Sequence, residues 1–163
     1  MNLRLKNRAG LTLIEILVVI AILTILVGLG SLLTPRDLAS AQVGAAADEL
    51  WHNLFWAQAL SRSGYRNLPS GIHFGTTSYT IFTDDVYSAS EPTNIVYSLP
   101  NSVRISSVDL SSGGNTIYFR EITGEPENST GTISYSGDIS LIHSDGYDLS
   151  INVSDQGVIT LSP

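Results

Sequence analysis

The chain has 163 residues, which is enough for about one domain with a hydrophobic core of its own. Hydrophobic residues make up 43% of it and charged residues only 14%, where about 25% is usual, so a disordered tail and a collagen-like chain are excluded. Cysteine is absent, which excludes disulfide scaffolds, thiolate metal sites and cysteine nucleophiles.

Charge is distributed unevenly along the chain. Three of the eight basic residues are Arg4, Lys6 and Arg8, and the first ten positions contain no acid. Without these three positive charges the net charge falls from -7 to -10. Because an acidic body repels phosphate backbones, nucleic acid is not expected as a partner.

Residues 11–33 form an apolar run whose only ionisable group is Glu15. As a helix this run would measure about 34 Å, slightly more than the roughly 30 Å hydrocarbon core of a bilayer. The basic residues on its N-terminal side place the N-terminus in the cytoplasm and the chain from about Pro35 outside. The sequence therefore predicts a single-pass membrane segment and an exported body.

Glu15 needs an explanation, because a charge at membrane depth costs several kcal/mol unless it is paired or lies near the headgroups. One interpretation is that Glu15, four residues inside the run, snorkels to the surface or is protonated. The other is that it awaits a cationic partner.

The segment RAGLTLIE at residues 8–15, followed by the apolar run, resembles the class III signal of type IV pilins and type II secretion pseudopilins. The resemblance implies that a prepilin peptidase cuts on the cytoplasmic side after Gly10 and N-methylates Leu11. It also implies that Glu15 meets the N-terminal amine of a neighbouring subunit during assembly. The family usually has Phe after the glycine, so Leu11 departs from the pattern.

A conventional secretory signal peptide is the competing interpretation of this segment. Ala39, Ser40 and Ala41 form an A-x-A cleavage pattern, which would leave Gln42 as the first residue. Against it, the apolar run is longer than the usual 7 to 15 residues or so and contains Glu15.

A second helix, or a continuation of the first, is predicted after the apolar run. Gly28, Gly30 and Pro35 are expected to loosen or break the helix, since glycine costs about 1 kcal/mol and proline about 3 in a helix interior. Asp37 is the expected N-cap, and the helix should run to about Ser63. Spacings of three and four residues predict that one face of this helix is a packing surface, with Phe55 beside it. The residues of that face are Ala47, Leu50, Trp51, Leu54 and Gln58.

Short alternating segments rich in β-branched and aromatic residues follow and predict strands. They are residues 71–74, 79–83, 95–99, 103–106, 116–120, 132–135, 139–142, 147–153 and 158–161. Turn signals at 111–115, 136–138, 144–146 and 155–157 favour antiparallel hairpins. The acidic, proline-containing stretch 122–130 is predicted to be a mobile loop.

A long helix followed by antiparallel strands is similar to the pilin plan, an α+β fold with the helix packed on a sandwich-like β-rich head. The chain then divides into a cleaved leader (1–10), a transmembrane and filament-core helix (11–34), an amphipathic helix (35–64) and the head (65–163). The body resembles the GspH and FimT group of minor pseudopilins and minor pilins, through residues 54–63, 71–74, 79–84, 99–103 and 148–157.

No motif for catalysis or for cofactor binding occurs, so no catalytic residue, metal or cofactor is expected. His52, His73 and His143 lack metal-ligand spacing and are interpreted as packed or surface residues. Asp84, Asp85 and Glu91 raise the alternative of calcium, but they lack the EF-hand pattern.

The resemblance gives a reason to consider DNA as a ligand, because some FimT-like minor pilins capture DNA with a basic C-terminal segment. Residues 157–163 contain no Lys or Arg here. Arg62 and Arg66 are the only close basic pair in the body and are expected to stabilise the C-terminal end of the helix.

The resemblance implies a structural subunit, of the minor kind, of a type IV pilus or type II secretion pseudopilus. Its expected partners are the prepilin peptidase, other pilin or pseudopilin subunits, the inner-membrane assembly platform and, before assembly, the bacterial inner membrane itself. Three alternatives remain open: a single-pass anchored binding module, a FimT-like DNA-uptake pilin, and an exported hydrolase that uses an acidic pair such as Asp84 and Asp85.

Overall fold

The computed structural model describes residues 12–30, 35–111, 113–128 and 136–162. The chain divides into two compact units, Met1–Pro35 and Arg36–Pro163. The first contains helix α1 (Leu13–Gly30), which confirms the prediction of a helix in the apolar run. The remaining positions of the predicted helix 11–34, apart from Thr12, lie outside the described residues.

Helix α2 (Pro35–Arg62) begins with a proline, which suits the first helical position because its missing N–H would have no partner there. Asp37 lies in the first turn, so its prediction as N-cap is wrong: the helix starts two residues earlier. After the helix, Gly64 has a φ of 64°, a left-handed conformation that glycine adopts without strain. A single 3-10 turn, Tyr65–Asn67, follows.

Within the described residues, nine strands form two antiparallel sheets, as the turn signals predicted. The first sheet has the order β3-β2-β1-β5-β6 and the second the order β4-β7-β8-β9. The strands are β1 (Ser70–Phe74), β2 (Ser78–Thr83), β3 (Ile95–Ser98), β4 (Val103–Leu110), β5 (Thr116–Phe119), β6 (Pro126–Glu127), β7 (Gly137–His143), β8 (Asp148–Val153) and β9 (Ile159–Ser162).

Two of the four turn signals are confirmed as hairpins, at 144–146 between β7 and β8 and at 155–157 between β8 and β9. The signal at 136–138 is wrong, because Gly137 and Asp138 already belong to β7 and pair with β4 and β8. Residues 111–115 connect β4 to β5, which lie in different sheets. The predicted strand 132–135 lies outside the described residues.

The predicted loop 122–130 needs correction, because it contains strand β6 and is fastened to its surroundings. The Ile122 N–H donates to the Ser61 carbonyl oxygen at 3.0 Å. Arg120 and Glu127 form an ion pair with 3.1 Å between Nε and Oε2. From its composition this segment could only be recognised as polar. Its contact with the end of α2 joins residues some sixty positions apart, so no local sequence pattern indicates it.

One hydrophobic core joins α2 to both sheets. The predicted packing face is confirmed, since Ala47, Leu50 and Leu54 are fully buried, while Trp51 is half-buried at its margin. Phe55, which flanks this face, is exposed. The other large contributions come from Ile72, Phe74, Tyr79, Ile117 and Phe119 of the first sheet and Ile139, Leu141, Ile151 and Val153 of the second.

Gln58 is the polar member of this face and is almost fully buried. Its Nε2 donates to the carbonyl oxygens of Gly124, at 2.9 Å, and Gly157, at 2.8 Å. Gly124 precedes β6 of the first sheet and Gly157 precedes β9 of the second. The side chain therefore links α2 to one connection in each sheet.

We expect residues 35–163 to fold without the apolar helix, because every member of the core cluster lies between Val43 and Ile159. Circular dichroism of this fragment should show mixed helix and strand signals and one cooperative thermal transition. A mainly helical spectrum, or melting without a cooperative transition, would contradict the expectation.

Candidate processing and assembly site

The described part of the expected site begins at Thr12. The predicted cleavage residues Gly10 and Leu11 lie outside the described residues. Glu15 lies in the first turn of α1 and its side chain is exposed. A carboxylate there is stabilised by the partial positive charge at the helix N-terminus.

Thr12 caps this helix. The Glu15 N–H lies 3.3 Å from the Thr12 hydroxyl oxygen and 3.1 Å from its carbonyl oxygen. This cap satisfies one of the backbone donors that a helix start leaves unpaired. The sequence analysis missed it, although Thr12 and Glu15 have the T-x-x-E spacing of a capping box.

Helix α1 presents large apolar side chains on every face. Their exposed fractions range from 49% for Ile16 to 78% for Leu13. A helix that is apolar all round requires an apolar environment, which other helices or lipid can provide. Glu15 is the only charged residue in α1, so it would be the only full charge carried into that environment by the helix.

The three residues expected to loosen or break the helix lie at different positions relative to α1 and α2. Gly28 lies inside α1, where one glycine costs about 1 kcal/mol, and its loosening of the helix stays a prediction. Gly30 is the last residue of α1 and Pro35 the first of α2, while residues 31–34 lie outside the described part.

In the part of the chain that the structure describes, no helix is both long enough and apolar enough to cross a membrane.

The histidines are separate from one another and have local packing roles. His52 is exposed on α2. The His73 ring stacks on Tyr87 with 4.0 Å between centroids, and its Nδ1 lies 2.8 Å from the Thr116 hydroxyl. Burial lowers the pKa of His73, because desolvation penalises the charged ring.

His143 is buried where β7 meets the start of α2. The Asp145 N–H lies 3.1 Å from its Nδ1, and its Nε2 lies 3.2 Å from Gln42 Oε1. His143 therefore joins the β7–β8 turn to α2.

The acidic residues considered for calcium make contacts within their own loop. Asp84 Oδ1 accepts the Asp85 N–H at 2.8 Å, and Glu91 Oε1 lies 3.5 Å from the Thr93 hydroxyl. Among the described residues, no three His, Cys, Asp or Glu side chains are grouped so that they could hold a metal ion.

The two arginines of the basic pair differ in environment. Arg62 is the last residue of α2, and its Nε donates to the Thr123 carbonyl oxygen at 3.1 Å. Arg66 lies in the following 3-10 turn, is exposed, and has a left-handed φ of 61°. Arg62 therefore contacts its surroundings at the end of α2, whereas Arg66 lies beyond the helix, although the sequence analysis expected the same role for both.

Comparison with known families matches residues 5–31 to the prokaryotic N-terminal methylation motif. The match includes Gly10, Leu11 and Glu15. No curated protein matches the sequence.

Comparison of folds finds crystal structures of the type IV minor pilin FimU from Pseudomonas aeruginosa. One crystal form is similar with a TM-score of 0.53 and 16% sequence identity, over 76% of this chain and 90% of FimU. A second form gives 0.51 and 17%, over 74% and 92%. The chain therefore carries the methylation motif at its N-terminal end and has an α+β fold similar to that of FimU.

Proposed function

We propose that this chain is a minor structural subunit of a type IV pilus or a type II secretion pseudopilus. It is inserted in the inner membrane as a prepilin, with its N-terminus in the cytoplasm and its head outside. The prepilin peptidase removes residues 1–10 and methylates Leu11. The subunit then enters the filament through its apolar helix, on the inner-membrane assembly platform.

The observation that carries this proposal is the position of Glu15. It is the single charged side chain of a helix that is otherwise apolar on every face, and it lies in the first turn. A carboxylate carried into an apolar environment costs several kcal/mol unless a cation pairs with it. The placement supports pairing with a cation outside the helix.

Cleavage after Gly10 would supply that cation. It creates an amine on Leu11, which remains protonatable when methylated, four residues before Glu15. In a filament interior with little water, neither charge is well solvated alone. Contact between the amine of one subunit and the carboxylate of the next offsets part of that desolvation and fixes the axial position of the incoming helix.

Assignment to the GspH and FimT group rests on the motifs of the body, and the likeness to FimU favours a minor subunit. The chain would act by assembly and not as an enzyme, and it would need no cofactor. Its acidic body gives no reason to expect DNA among its partners.

We expect Glu15→Val to leave membrane insertion and cleavage unchanged and to reduce incorporation into filaments at least about tenfold, because insertion needs only apolarity whereas docking needs the charge. The measurement is a competition in which tagged variant and untagged wild type are expressed together and counted in sheared filaments.

Two variants serve as controls. Glu15→Asp retains the carboxylate and should retain most incorporation, while Thr12→Ala removes the cap and keeps the charge. If Glu15→Val entered filaments as well as wild type, the pairing role would be wrong. If Thr12→Ala failed as badly as Glu15→Val, Glu15 would act through the stability of the helix.

A further inference from the structure

A cleft opens beside the C-terminal end of α2, between this helix, the 3-10 turn and strands β2 and β3. Its volume is about 310 Å³, at the lower limit of the usual range for small-molecule sites. Trp56, Leu60, Tyr65 and Ile95 contribute apolar walls, and we call it the Trp56 cleft after the first of them. All of these residues belong to one compact unit, Arg36–Pro163.

The aromatic walls of the Trp56 cleft are accessible to a ligand. Trp56 is 39% exposed and Tyr65 is 53% exposed, although both are large side chains that gain by burial. By contrast Trp51, one turn earlier on α2, is half-buried, stacks on Phe55 and donates its Nε1–H to the Ile159 carbonyl oxygen at 3.1 Å. Only one of the two tryptophans is therefore placed to meet a ligand in this cleft.

Arg66 is the one charged residue among those that line the Trp56 cleft. Within the described residues it has neither an ion pair nor a hydrogen bond from its side chain. Its positive charge therefore remains available at the edge of an apolar surface, in a chain whose net charge is negative.

The backbone holds Arg66 at this edge in an unfavourable conformation. Arg66 has a φ of 61° and the next residue, Asn67, a φ of 50°. Asparagine tolerates this left-handed region, whereas arginine rarely adopts it because its Cβ crowds the backbone there. Such local strain is often found where a side chain is positioned for binding.

We propose that the Trp56 cleft binds a small monocarboxylate with an aromatic or branched apolar body. The body would lie against Trp56, Tyr65 and Ile95, and the carboxylate would pair with the Arg66 guanidinium, which suits carboxylates because its N–H groups can donate in parallel.

Glu91 restricts the ligand to one negative charge. Its Oε1 lies 3.5 Å from the hydroxyl of Thr93, which lines the cleft, so a carboxylate stands beside the cleft on the β3 side. A second anionic group directed toward Thr93 would meet this like charge. Dicarboxylates are therefore expected to bind less well than monocarboxylates of similar size.

The test uses the full chain in lipid nanodiscs with both tryptophans replaced by 5-fluorotryptophan, so that two fluorine resonances report on Trp51 and Trp56. The variant Trp56→Phe assigns them. Titration with 3-phenylpropionate should shift the Trp56 resonance saturably, with a Kd on the order of 1 mM for a ligand of this size, and leave the Trp51 resonance in place.

Charge is tested by three comparisons. Arg66→Gln should weaken binding about two- to fivefold, as expected for a partly exposed ion pair. Arg104→Gln, at an exposed position on β4 in the other sheet, should leave it unchanged. The amine analogue 3-phenylpropylamine should bind more weakly than the carboxylate.

Equal binding of the amine and the carboxylate, or unchanged affinity in Arg66→Gln, would overturn the assignment of the carboxylate to Arg66. Shifts of both fluorine resonances in parallel, or no saturable shift of the Trp56 resonance up to about ten times the expected Kd, would overturn the site itself. None of these outcomes bears on filament assembly, so this proposal fails or succeeds separately from the proposed function.

Discussion

Replacing Gly71 by alanine is expected to lower the free energy of unfolding by about 3 kcal/mol, the upper part of the range for overpacked core positions. Gly71 lies in β1, the central strand of its sheet, opposite Phe82 in β2 and Tyr118 in β5. A Cβ atom there would press on the Ile117 carbonyl oxygen and lie 2.7 Å from Phe82 Cζ. Because one of these neighbours is backbone, the strands must separate to make room.

The same substitution at Gly44 provides a matched control. Gly44 lies inside α2, and a Cβ atom added there has no neighbour within 4 Å. Gly44→Ala should therefore raise the free energy of unfolding by up to about 1 kcal/mol, the difference in helix propensity. Urea unfolding of residues 35–163 measures both; a Gly71→Ala variant as stable as Gly44→Ala would show that β1 and β5 do not approach this closely.

Local periodicity explains why much of the fold could be predicted. The buried face of α2 recurs every three or four residues, and Leu50 and Leu54 are fully buried as that spacing predicts. Along strand β8 buried residues alternate with more accessible ones, and glycine marks the β7–β8 and β8–β9 turns at Gly146 and Gly157. Each of these signals lies within a few residues of the structure that it predicts.

What could not be predicted depends on contacts between distant positions. The glycine-rich segment between β4 and β5 has the sequence of a hairpin turn, but the two strands that it connects lie in different sheets. Gln58 fits an apolar stripe in sequence, and only the fold shows the carbonyl groups of Gly124 and Gly157 that make it necessary. The Trp56 cleft combines residues from Trp56 to Ile95 and has no motif at all.

A substitution at the predicted cleavage site is expected to have a large effect on processing. Gly10→Val is expected to abolish cleavage, so that the leader stays attached and no filament subunit is produced. Gly10 has no side chain, which lets the peptide bond after it approach a peptidase closely, and a β-branched residue would obstruct that approach. Immunoblots of membranes should show only the longer form of the chain.

Asn7→Ala is the matched control for this experiment, because it changes the leader without changing its charge or the residues at the cut. It should be processed like wild type. Normal processing of Gly10→Val would mean that the cut lies elsewhere.

The central claim is that the chain is cleaved after Gly10 and methylated at Leu11. The intact mass of the native protein tests this claim most directly. The prediction is a chain of residues 11–163 that is heavier by one methyl group. A chain that begins at Gln42 would contradict the account in favour of an ordinary signal peptide, and a mass that retains residues 1–10 would contradict processing altogether.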